Sequence, residues 1–89
     1  MNWDVVEVKP LGQRTLQVRF MDGLAGTIFL PPAFCTGVFL PLLDDSLLEQ
    51  ASVEHGVVVW PNGLDLAPDT MYQEIQRSPE RHYQVGRMT

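Results

Sequence analysis

The chain has 89 residues, 45% of them hydrophobic and 19% charged, with a net charge of −5 and a pI near 4.7. That composition belongs to a globular domain rather than a disordered segment, and the length to a single domain. Phosphate backbones repel an acidic surface, so unaided nucleic-acid binding is disfavoured. Surface scaling puts roughly 64% of the unfolded chain's surface out of water on folding. The resulting core is small, and a homodimer or partner contact would supplement it.

The longest apolar stretch, Leu30 to Leu43, is broken by Pro31, Pro32 and Pro41 and is too short to span a bilayer. Met1-Asn2-Trp3-Asp4 lacks the basic and apolar regions of a secretory signal. Cys35 stands alone, so no internal disulfide can form, and the cytoplasm is the expected compartment. Charge is unevenly spread: residues 1–76 carry three basic and ten acidic side chains, whereas 77–89 carry Arg77, Arg81 and Arg87 against Glu80. Residues 1–76 therefore read as a single α+β domain, and 77–89 as a basic tail that is solvated or docks on an acidic surface.

In chain order, Trp3 to Lys9 is rich in β-branched residues and closed by Pro10, which predicts a first strand, with a turn at Leu11-Gly12-Gln13. Thr15 to Phe20 alternates, with Leu16, Val18 and Phe20 on one face, the period of a half-buried antiparallel strand. Asp22-Gly23 predicts a turn, and Leu24 to Leu30 a return strand with Leu24, Ile28 and Leu30 inward. Gly26 falls on that inward face without a side chain, which predicts a bulge or a close packing partner. Pro31-Pro32 ends the sheet for want of N–H donors. Ala33 to Leu43 reads as turns or short helical pieces packed on the sheet through Phe34, Val38, Phe39, Leu42 and Leu43.

Asp44-Asp45-Ser46 offers a helix cap ahead of Leu47 and Leu48, with the helix running to about Ala51. Ser52 to Glu54 and Val57 to Trp60 read as a short hairpin around His55-Gly56, the valine run being of the kind covered on both faces. Asn62-Gly63 is a strong turn signal, and Pro68 with Asp69 suits the first turn of a helix whose apolar stripe is Met71, Tyr72 and Ile75. Ser78-Pro79-Glu80 reads as a second cap that opens a short helix or precedes a frayed tail. The predicted fold is α+β: a mostly antiparallel sheet, a three-strand meander plus a short hairpin, with two or three short helices.

Candidate chemistry is sparse. Cys35, His55 and His82 lack paired metal-ligand spacing, so no metal is expected. Cys35 with His55, oriented by Asp65, is a nucleophilic pairing the residues allow. A free Cys between Phe34 and Gly37 more often serves as a small buried hydrophobe. No phosphate loop, dinucleotide fingerprint or serine-elbow motif is present, and no cofactor is expected. Asn62, Asp65 and Asp69 lie near one another on the loop after Trp60 and could line a small cleft, although turn and capping roles account for all three. Trp3 and Trp60 are the candidate stacking surfaces, with core burial the commoner role for each.

The pattern Leu16-x-Val18-x-Phe20-x-Asp22-Gly23, then Leu43-x-Asp45, then Val57-Val58-Val59-Trp60-Pro61-Asn62-Gly63-Leu64-Asp65-Leu66-Ala67-Pro68-Asp69-x-x-Tyr72, resembles the small bacterial proteins of domain-of-unknown-function family 2442. The resemblance covers roughly residues 3–73. It departs at Leu48, where the family usually has an aromatic residue, and leaves the tail outside. It implies an α+β domain with a mostly antiparallel sheet and no known catalytic residues. Some relatives are joined to a helix-turn-helix module, and many are encoded beside another small protein in an arrangement like a toxin–antitoxin pair. The expected role is a non-enzymatic interaction domain that binds a small protein partner, antitoxin-like. A small-molecule-sensing domain using Trp60, Asn62 and Asp65 is the alternative, and a Cys/His enzyme the third reading.

Overall fold

The computed structural model describes residues 3–86. Its elements in chain order are β1 (Val5–Gly12), β2 (Thr15–Phe20), β3 (Ala25–Phe29), 3-10 pieces at Pro32–Phe34 and Gly37–Leu43, α1 (Asp45–Leu48), β4 (Ser52–Glu54), β5 (Val57–Val59), β6 (Asp65–Leu66), α2 (Pro68–Arg77) and β7 (His82–Gln84). They form an α+β fold with two sheets. One has the order β1-β2-β3-β7 and is antiparallel except where β7 lies parallel to β3; the other is the antiparallel meander β4-β5-β6.

The period-two pattern of β2 places Leu16, Val18 and Phe20 in the core, where Ile28 and Leu30 join them. The stripe on α2 covers this layer with Met71 and Ile75, both buried, while Tyr72 is half-buried. Pro68 occupies the first helical turn, as its missing N–H allows, and Asp69 puts negative charge there. Gly26 is a point of close approach between sheet, helix and the turn before β7. A Cβ at that position would stand 2.5 Å from the Arg81 carbonyl oxygen and 2.6 Å from Ile75 Cγ2, so the predicted close packing partner is the turn leading into β7.

Both meanders turn by the same two devices. The first turn of each is a two-residue loop with both residues left-handed, Gln13-Arg14 (φ 53° and 61°) and His55-Gly56 (φ 54° and 80°), which matches the twist of the flanking strands. The second is a three-residue loop closed by glycine. Gly23 (φ 96°) donates to the Phe20 carbonyl at 2.9 Å and Asp22 Oδ1 accepts from Leu24 N at 2.9 Å. Gly63 (φ 91°) likewise donates to Trp60 at 3.0 Å, while Asn62 Oδ1 accepts from Leu64 N at 3.2 Å.

Several expectations are corrected. β1 runs through Pro10 to Gly12, because β1 is an edge strand and its ladder is irregular between Pro10 and Gly12, where a missing N–H does little harm. The valine run is buried only at Val58, and the expected short hairpin gains β6 as a third strand. In the 3-10 stretch, Leu42 is buried, but Val38 and Leu43 are 73% and 47% exposed instead of packed on the sheet. Trp3 is exposed rather than core. Helix α1 stops at Leu48. After Arg77 the chain turns and enters strand β7 instead of a terminal helix, burying Val85. Arg81 (φ 54°) closes α2 by donating from Nη1 to the Gln76 carbonyl at 2.6 Å. Arg87, the last cation of the expected tail, lies outside the described residues.

Candidate functional site

The corner after β5 carries the residues that the sequence singles out. Trp60 is 3% exposed, and its indole Nε1 donates to the Leu48 carbonyl at 2.9 Å, tying the corner to the end of α1. Asn62 shapes its own turn. Asp69 Oδ1 accepts from the Thr70 N–H at 2.9 Å. Asp65 is exposed, and its carboxylate has no hydrogen-bond or ion-pair partner among the described residues. Trp60 and Asp65 meet at a polar cleft of about 480 Å³ with Ser52, Glu54 and Gly63; Asn62 and Asp69 do not line it.

Asp65 also stands on the wall of a second, largely apolar groove of about 330 Å³. Its floor is Leu66, Met71 and Val85, all buried, and its sides are the half-buried rings of Phe34, Phe39 and Tyr83. Four separate parts of the chain meet there: the 3-10 stretch, β6, the first turns of α2, and the end of β7. Phe34 and Phe39 pack on each other with ring centroids 4.7 Å apart. Burial pushes the Tyr83 hydroxyl above its ordinary value, and the negative charge of Glu74 pushes it further.

The 3-10 stretch beside this groove is held by a residue that sequence reasoning missed. Arg14 donates from Nε to the Leu30 carbonyl at 2.8 Å, from Nη2 to the Leu42 carbonyl at 2.7 Å, and from Nη1 to Asp45 Oδ1 at 2.7 Å. Its side chain is 11% exposed. The planar fork spreads its donors over three nitrogens and so reaches acceptors on separate parts of the chain, where a lysine would offer all its donors from one atom. The only local hint was an arginine just before a strand, and hints of that kind are common.

Cys35 is buried, with Arg14 Nη2 at 3.2 Å and the Pro31 carbonyl at 3.8 Å from its sulfur. His55 is exposed in the β4–β5 turn, and no hydrogen bond joins it to Cys35. His82 Nδ1 lies 2.8 Å from the Thr27 hydroxyl on the sheet surface. Among the described residues, no group of three or more His, Cys, Asp or Glu is placed to hold a metal ion. No helix among them is long and apolar enough to cross a membrane.

Residues 5–77 match the model of a family described as "Protein of unknown function (DUF2442)". No curated protein and no solved structure matches the chain. The matched residues include the Trp60 corner and α2 but stop short of β7, so the Tyr83 and Val85 side of the groove is built from sequence the family model does not describe.

Proposed function

We propose that this chain, which belongs to the DUF2442 family, is a non-enzymatic interaction domain that binds a small protein partner. The observation that carries this reading is the 3-10 stretch Gly37–Leu43. It exposes Val38 at 73%, Leu40 at 54% and Leu43 at 47% within one short segment, and Arg14 holds that segment in place. Isolated apolar residues are ordinary on a protein surface, but a fixed cluster of them marks a contact surface. An ordered surface also limits the entropy lost on binding. The antitoxin-like pairing implied by the family resemblance belongs to the same reading.

Co-expression with the product of the adjacent gene, followed by size-exclusion chromatography, tests it. The two proteins are expected to elute together, and Val38→Asp with Leu40→Asp to separate them while circular dichroism stays unchanged. Separate elution of the unaltered pair at low salt overturns the reading. A small-molecule-sensing role is favoured only by the polar cleft beside Trp60 and Asp65. A metabolite that raises the melting temperature of the parent but not of Asp65→Ala would support that role.

A further inference from the structure

We infer that the apolar groove between α2, β6 and β7 receives one large apolar side chain from a cationic segment of the partner, a Phe or Leu flanked by Lys or Arg. The inference rests on the interaction reading above and adds where the partner docks and with what chemistry.

Size limits the occupant. A groove of about 330 Å³ lies at the low end of the roughly 300–1,000 Å³ typical of small-molecule pockets, so it holds one large side chain and not a helix face. Its lining includes the buried Leu66, Met71 and Val85 and three aromatic rings, the apolar surroundings in which an anchor residue contributes most to binding. Phe39 belongs to the same 3-10 stretch that exposes Val38 and Leu40, so one short segment contributes both to the groove and to the exposed apolar residues beside it in sequence.

Charge limits the flanks. Asp65 stands on the wall with its carboxylate unpaired among the described residues, and Asp69 immediately precedes Thr70, another lining residue. Among the described residues, neither Lys nor Arg lines the groove. The arginines among these residues are engaged elsewhere: Arg14 and Arg81 on backbone carbonyls, Arg19 with Glu7 at 3.7 Å, and Arg77 with Glu74 at 3.4 Å. The partial positive charge at the start of α2 is met by Asp69 in its first turn. A second copy of the chain would set a net charge of −5 against another −5, with Asp65 on the docking surface. A cationic segment meets the same field with attraction.

The test titrates a peptide carrying one Phe between lysines into the 15N-labelled full chain, alongside a glutamate-flanked peptide of otherwise identical sequence. Amide shifts are expected at Thr70, Met71, Tyr83 and Gly86 with the lysine peptide only. Thr70→Trp, which fills the groove mouth from an exposed position, should weaken binding by about tenfold or more, with Thr70→Ala as the control for folding. Asp65→Lys should weaken it about fivefold and remove most of the salt dependence. Absence of shifts, equal binding of the two peptides, or shifts confined to residues outside the groove would overturn the inference. Groove shifts that grow with protein concentration alone would assign the site to a second copy and overturn it too. If the co-expressed partner elutes with the chain and Thr70→Trp leaves that complex intact, the groove inference falls while the interaction reading stands. Separate elution of partner and parent chain removes the interaction reading itself.

Discussion

The Arg14 guanidinium meets Asp45 Oδ1 at 2.7 Å across 31 residues of chain, from a backbone held in the left-handed region at φ 61°. A non-glycine residue there costs about 1 kcal/mol or more, so the side chain's bonds stabilise a turn that would otherwise be unfavourable. The Asp45 end is 72% exposed and contributes little, because solvent screens it. The carbonyl end lies at the less exposed part of the side chain and matters more. Arg14→Ala should therefore destabilise the fold by about 3 kcal/mol, since it leaves the Leu30 and Leu42 carbonyls without their donor. Asp45→Asn should cost less than about 1 kcal/mol. Urea unfolding of the two variants checks the contrast; equal losses would place the strength at the salt bridge instead.

Gly26→Ala tests the close approach of sheet and helix. The added carbon would meet a backbone carbonyl at 2.5 Å, and backbone cannot swing aside as a side chain can. Overpacking of this kind typically costs about 1–3 kcal/mol. The loss should be local at first, with faster amide exchange at Thr27 and Val85, whose N–H groups pair β3 with β7. Unchanged exchange at these two amides would show that the turn before β7 yields freely.

The Asp22–Tyr72 hydrogen bond makes stability depend on pH at both ends of the scale. Accepting a hydrogen bond from the Tyr72 hydroxyl holds the Asp22 carboxyl below its ordinary value of 3.8, with the Leu24 N–H as a further donor. A depressed carboxylate contributes stability above its unfolded value and loses it as pH falls through the folded one. The same bond raises Tyr72 above its ordinary value of 10.0, so that contribution is present below 10.0 and lost as pH rises through the folded value. Tyr72→Phe should flatten the melting-temperature profile below pH 3.8 and above pH 10.0 relative to the parent. Parallel profiles for parent and variant would show that the bond does not couple to folding.

Trp60→Phe keeps much of the buried ring but removes the Nε1 donor to Leu48. A cost of about 2 kcal/mol is expected, from an unsatisfied carbonyl plus the smaller ring. Fluorescence gives a second check. Trp60 is buried and Trp3 is 37% exposed, so Trp3→Phe should leave blue-shifted emission and Trp60→Phe red-shifted emission.

The parts of this fold that could be read from the residues are those fixed by neighbours in the chain. Leu16, Val18 and Phe20 declare their face by alternation, and Asp22-Gly23 and Asn62-Gly63 declare their turns by chemistry. Pro68 and Asp69 declare a helix start in the same way. What escaped depends on distant partners. Arg14 bonds a carbonyl 16 residues away and a carboxylate 31 away, and no local pattern marks such a cation. Val38 and Leu43 looked like core because they are apolar; only the three-dimensional path of the 3-10 stretch turns them outward. His82 to Gln84 is too short and too polar to announce a strand, and it pairs in parallel with β3, some 55 residues upstream. The groove escaped for the same reason, since its sides come from four parts of the chain.

The order β1-β2-β3-β7 gives that short last strand an importance out of proportion to its length. It occupies the Thr27 N–H and the Phe29 carbonyl, which would otherwise line an open border of the sheet. A chain trimmed at Arg77 would lose one side of the groove and expose a row of free backbone groups to any passing strand. The segment that supplies the Tyr83 and Val85 side of the groove thus also covers the β3 border of the sheet.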